Sequence, residues 1–155
     1  MSAIVKTHTP FSDIECLLEA LDAIGQKYTL DGTMIMTDRI DYYGSERFIW
    51  EKDRYVFTHD STADMEGRYP WNQNNLKNWM SVSSFLKAVD TGYKESYIKK
   101  MERLAEEERK AEEERKRKIV EAKRNEIVTI AREKGYFIKE STDGKQIQLV
   151  LTRTV

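Results

Sequence analysis

The chain holds one cysteine, two prolines and two histidines among 155 residues, and each scarcity excludes something. A lone Cys16 cannot close an intramolecular disulfide. The opening MSAIVKTHTPF lacks an apolar run of signal-peptide length, and no segment approaches the ~18 to 20 apolar residues of a membrane span. A cytoplasmic protein with no membrane partner is expected. There is no Gly-rich phosphate loop, no GxSxG and no CxxC, so the expectation is a non-enzyme that needs no cofactor.

The rarer reactive residues are weak on their own terms. His59-Asp60-Ser61 fits the His-x-Ser/Thr half of a two-histidine phosphoesterase, but His8-Thr9-Pro10 puts proline where the second hydroxyl belongs. His59, Asp60, Asp64 and Glu66 are metal-ligand types in a loop, without the alternation and central glycine of a calcium loop or the Cys and second His of a zinc site. No metal is expected. Cys16, between apolar neighbours, reads as a small hydrophobe.

What is present is enough apolar material, 39% of residues, for one modest core. Charge is unevenly spread although the net value is only −1: residues 1–90 carry 9 basic and 14 acidic side chains, residues 91–155 carry 17 and 13. The near-neutral total argues against bulk attraction to nucleic acid.

Residues 3–8 read as a strand. Ser12 with Glu15 forms a capping box, Phe11 and Cys16 flank it as a staple, and Ile14, Leu17, Leu18, Leu21 and Ile24 share one helical face up to Gly25. A helix over about 12–25 is expected. Asp31-Gly32 turns the chain into an extended Thr33–Met36, and residues 47–50 and 55–58 make an aromatic, β-branched hairpin around a polar turn. Residues 60–75 read as a loop anchored by Tyr69, Pro70 and Trp71. Helix resumes near Leu76 or after Ser81, with Asp90-Thr91-Gly92 as a break or a weak point.

Residues 93–134 contain no proline or glycine and a heavy share of Glu, Lys, Arg and Ala, so nothing in them forbids helix. Glu95/Lys99, Glu106/Lys110, Glu112/Lys116, Glu113/Arg117 and Glu114/Lys118 are spaced i,i+4 in the favourable order, worth together roughly 1–2.5 kcal/mol. The apolar seam lapses at Glu108, Ala111 and Arg115, so no coiled-coil core passes through the middle. It returns with Val120, Ile127, Val128, Ile130 and Ala131. A helix of this length, about 60 Å, is expected to project from the body with its middle in water. The final segment reads as a hairpin returning to the sheet, with Asp143-Gly144 as its turn pair and Ile147, Leu149 and Leu151 facing inward.

The pattern of opening strand, "SDIECLLEALDAIG" helix, central hairpin, "SVSSFLKAV" and closing "AREKGYFIKESTDGKQIQLVLTRTV" resembles the family called hypothetical chloroplast reading frame thirty-five. This is a domain of unknown function in cyanobacteria and plastids, found also in bacteria and phages. Gly135-Tyr136 and the stretch from Asp143-Gly144 to Leu151 stand where the family has a glycine-aromatic pair and a "DG…RLVL" strand. The charged residues 98–122 look like an insertion in a shorter family helix, and Thr154 replaces a customary tryptophan. The resemblance implies one small α+β domain with an antiparallel sheet and supplies no catalytic residue.

The fold expected is therefore a single α+β domain over residues 1–155, an antiparallel sheet packed by helices, with a long charged helix before a C-terminal hairpin. The leading functional expectation is an interaction or adaptor protein whose partner is a protein or a second copy, docking at Arg115, Arg117, Lys118, Lys123 and Arg124. The alternative is a binder of a small anionic ligand or nucleotide at Arg47, Trp50, Tyr55, His59 and Trp71. A nucleic-acid binder, stacking bases on Phe48, Trp50, Tyr55, Phe57, Tyr136 and Phe137, is the third.

Overall fold

The computed structural model describes residues 3–61, 80–144 and 146–154. The elements are β1 (Ile4–His8), α1 (Ile14–Ala23), β2 (Tyr28–Asp31), β3 (Met34–Asp41), β4 (Gly44–Glu51), β5 (Arg54–Asp60), α2 (Val82–Glu133), β6 (Phe137–Asp143) and β7 (Gln146–Thr152). The fold class is α+β with antiparallel sheets, as expected. The chain forms two compact units, the first ending at Arg103 and the second beginning at Leu104.

In the first unit the sheet order is β1-β5-β4-β3-β2, antiparallel throughout. Strands β2 to β5 are successive hairpins, turning at the positive φ of Gly32, Gly44 and Lys52. β1 then pairs with β5, from Ile4 opposite Asp60 to His8 opposite Val56. That pairing makes β5 an interior strand, and Tyr55 to Asp60 are all buried. α1 contributes Cys16, Leu17, Ala20 and Leu21 to the core, and the first turns of α2 contribute Val82, Phe85, Val89 and Tyr93. Aromatic rings fill the space between, with Phe48 and Phe57 centroids 4.6 Å apart and Phe57 and Phe85 5.4 Å apart.

Three expectations change here for physical reasons. The helix cap is Asp13 rather than Ser12: its Oδ1 accepts from the Cys16 N–H at 3.1 Å. The backbone N–H groups of Ser12 and Asp13 both donate to the Tyr93 hydroxyl, each at 3.0 Å, and Lys100 Nζ bridges Asp13 and Glu15 at 2.6 and 2.7 Å. A tertiary contact therefore sets the helix start. Gly92 does not break α2. A Cβ there would lie 3.2 Å from both Cα and Cβ of Ala20, so glycine is what lets α1 and α2 approach. The third change is in the sheet: β2 and the second half of β3 lie beyond the extended segments expected. β3 is interrupted by a bulge between Met36 and Ile40, which Thr37 holds by donating its hydroxyl to the Glu46 carbonyl at 2.7 Å.

α1 ends as its sequence requires. Gly25, at φ 71, donates to the Asp22 carbonyl and Gln26 to that of Leu21, the two bonds of a Schellman cap. The same motif closes α2 in the second unit. Gly135, at φ 77, donates to the Arg132 carbonyl at 3.0 Å and Tyr136 to that of Ala131 at 2.9 Å.

The second unit combines the later turns of α2 with the β6–β7 hairpin. The hairpin does not return to the five-stranded sheet; it forms a two-stranded sheet of its own. Its turn is one residue later than expected, since Asp143 pairs with Gln146 and Gly144 begins the loop at φ 57. Residues 106–118 are helical and carry ion pairs along the helix. Glu106/Lys110, Glu112/Lys116 and Glu114/Lys118 form at 3.5, 3.5 and 3.8 Å, while Arg117 pairs with Glu114 at 2.8 Å instead of with Glu113. Pairs this exposed contribute only tenths of a kcal/mol each, so helix propensity supplies much of what holds these turns.

Candidate functional site

The residues expected to bind a small ligand do not converge. Arg47 is opposite Thr58 and Trp50 is opposite Tyr55, so strand alternation puts Arg47 on one sheet face and Trp50, Tyr55 and His59 on the other. Tyr55 is buried in the core, with the half-exposed Trp50 packed edge-on against it at 5.1 Å. Trp71 lies outside the described residues, as do Asp64, Glu66, Tyr69, Pro70 and Leu76.

His59 is buried, with both ring nitrogens engaged. Nδ1 donates to the Asp60 carbonyl at 2.8 Å, leaving Nε2 to accept from the Thr7 hydroxyl at 2.8 Å. His8 is exposed on the opposite face, since it pairs with Val56 while His59 pairs with Val5. The two histidines cannot act on one phosphate. Among the described residues no three His, Cys, Asp or Glu side chains group as a metal site.

Sequence reasoning missed a buried polar cluster on the inner face. Arg39 Nε donates to Glu46 Oε2 at 2.5 Å, and the Arg39 guanidinium lies 4.5 Å from the Phe85 ring centre. Asp41 accepts from the Asp60 N–H at 2.6 Å. Burial pushes the Glu46 carboxyl above its usual range, against the pull of Arg39, with Asp41 adding to the rise. The bulge in β3 brings these groups together, and no sequence spacing announces it. The outer face has its own irregularity: Arg47 Nε and Thr58 Oγ1, cross-strand neighbours, are buried without a hydrogen-bond partner among the described residues.

Cys16 is buried beside Asp13, and burial together with that carboxylate raises its thiol above the usual range. It packs in the core.

In the second unit the expected docking cations are mostly satisfied within the chain. Arg124 makes a two-pronged pair with Glu140, at 2.8 and 2.5 Å. Arg115 reaches Glu112 at 3.1 Å, Arg117 and Lys118 both reach Glu114, and Lys123 is exposed. The unsatisfied chemistry here is apolar. Ala131 is the one fully buried hydrophobic residue of this unit among those described, while Ile119, Val120, Ile127 and Ile130 of α2 remain 43–51% exposed. Ile147, Val150 and Leu151 are similarly exposed, and Phe137 reaches 68%. Ile127, Ile130, Ala131, Lys134, Tyr136 and Leu151 line an open apolar groove of about 320 Å³.

No protein-family model matches this chain, and comparison with curated proteins and with solved structures finds no match. No helix among the described residues is long and apolar enough to cross a membrane.

Proposed function

We propose that this is a non-enzymatic interaction protein: the first unit is a stable folded body, and the second, which begins with the charged turns of α2, is the docking element. One observation carries the proposal. The helix–hairpin unit leaves most of its large apolar side chains near half exposure, whereas the first unit encloses a core of aromatic and aliphatic residues. A two-stranded hairpin on one helix is marginal by itself, and a contiguous apolar surface of this kind is characteristic of an interaction site. The occupied nitrogens of His59 add weight, since a general base needs a free nitrogen within reach of its substrate. Membership of the reading-frame-thirty-five family belongs to the same proposal. The test is a panel of phosphodiesters and nucleotides: none is turned over. Hydrolysis abolished by His59→Ala would overturn the proposal.

A second reading, a binder of a small anion, is favoured by the orphaned Arg47 Nε and Thr58 Oγ1, two buried donors on one sheet face. Ligand binding to the native state raises apparent stability. A nucleotide that raises the melting temperature of the natural chain, but not of Arg47→Met, would favour this reading over the first.

A further inference from the structure

Among the described residues none fills the groove or covers the helix strip of the second unit, and the sequence of the strip is self-complementary. Positions 116, 119, 123, 126, 130 and 133 lie along one strip of α2, spaced alternately three and four apart. In order they are Lys116, Ile119, Lys123, Glu126, Ile130 and Glu133. Reversing the strip and laying it on itself sets Ile119 against Ile130, Lys116 against Glu133 and Lys123 against Glu126. Each contact then occurs twice. A two-fold contact between identical chains requires this property, because residue i must suit residue j while j suits i.

We propose that the partner of this face is a second copy of the chain, the two helices crossing antiparallel about an axis between residues 124 and 125. This rests on the interaction reading above and names its occupant. Charge complementarity is the first argument: antiparallel pairing brings four Lys–Glu contacts and no like-charge contact along the strip, whereas parallel in-register pairing would set Lys123 on Lys123 and Glu126 on Glu126. Lys123 and Glu126 form no ion pair within the chain among the described residues, so both are available. The groove is the second argument. Ile119 of the partner would fall opposite Ile130, at the rim of the cavity formed with Ile127, Ala131, Tyr136 and Leu151. The hairpin is the third. Arg124 and Glu140 clamp the hairpin to the neighbouring face of α2, leaving the strip of Ile119 and Ile130 uncovered.

The charge pattern gives a test that a merely unfolded variant cannot mimic. Lys123→Glu sets a new carboxylate against Glu126 of the other copy, and Glu126→Lys sets two ammonium groups together. Each variant alone is expected to raise the dimer dissociation constant by about tenfold or more, because like charges face each other twice. Mixed in equal amounts, the two variants restore an opposite-charge contact wherever unlike copies meet, and a heterodimer should form more tightly than either variant pairs with itself. Sedimentation equilibrium of the full chain and of both variants, alone and mixed, reads this directly. A natural chain that stays at one-chain mass from micromolar to near-millimolar concentration overturns self-pairing and leaves the interaction reading to the hydrolysis assay. A dimer that either variant leaves unchanged, or a mixture no more associated than its components, also overturns it.

Discussion

Gly92→Val probes the contact on which the first unit depends. Its Cβ would sit 3.2 Å from the Ala20 Cα and Cβ, and its two methyl groups must go where α1 already packs. Overpacking of this kind costs about 1–3 kcal/mol. Valine recovers roughly 0.5 kcal/mol of helix propensity relative to glycine. The sterics win, and a net loss of about 1–2 kcal/mol is expected. Trp50 packs edge-on against the buried Tyr55 of this unit, so its fluorescence reports this unit during urea unfolding. At a slope of about 1–3 kcal/mol per molar urea, the midpoint should fall by roughly 0.5–1 M. Ala20→Gly in the same chain should return part of the loss, since residues in contact couple by about 0.5 kcal/mol or more. A midpoint that does not fall, or a double variant whose losses simply add, would refute close helix approach as the reason for glycine at 92.

Two acids predict opposite pH trends. Burial tends to raise the Asp13 carboxyl, but Lys100 and the Cys16 N–H together hold it below its usual range. Its contribution is therefore present above about pH 4 and lost as pH falls through the lowered value, so Asp13→Asn should flatten the acid loss. At neutral pH, Asp13→Ala should cost about 1 kcal/mol as a lost helix cap. Glu46 is raised by burial, so its contribution is present below its unfolded pKa and lost as pH rises through the folded value; Glu46→Gln should remove that decline from urea midpoints measured across about pH 4–8. Gly135→Ala puts a side chain at φ 77 with no steric contact nearby, so backbone conformation alone should cost about 1–2 kcal/mol. Far-ultraviolet circular dichroism melts of the chain and the variant would show it.

The hairpins and long helix were legible because their signals are local. Alternation in residues 47–50 and 55–58, the glycines at 25 and 135, and the absence of breakers across residues 93–134 each report on a few neighbours. What sequence concealed was set at a distance. Ser12 and Asp13 are equivalent caps until Tyr93 engages both backbone N–H groups. Gly92 looks like a weak point until Ala20 is found against it. The Arg39–Glu46 pair needed the bulge, and polar residues in that stretch hid the length of β3. Of the α2 cations expected to dock a partner, Lys123 is exposed, whereas Arg124 is held by Glu140 sixteen residues on, a pairing that no local spacing shows. The uncovered apolar strip could not be foreseen while the hairpin was expected to join the larger sheet.

The central claim is that α2 is fixed by burial in its first turns and stands without burial through residues 106–118. Amide hydrogen exchange resolved along the helix tests it most directly. Residues 85–93, packed in the core, should open only with the first unit, while residues 106–118 should exchange orders of magnitude faster, and faster still as salt screens their charge pairs. Uniform protection from Phe85 to Lys118, insensitive to salt, would contradict the account.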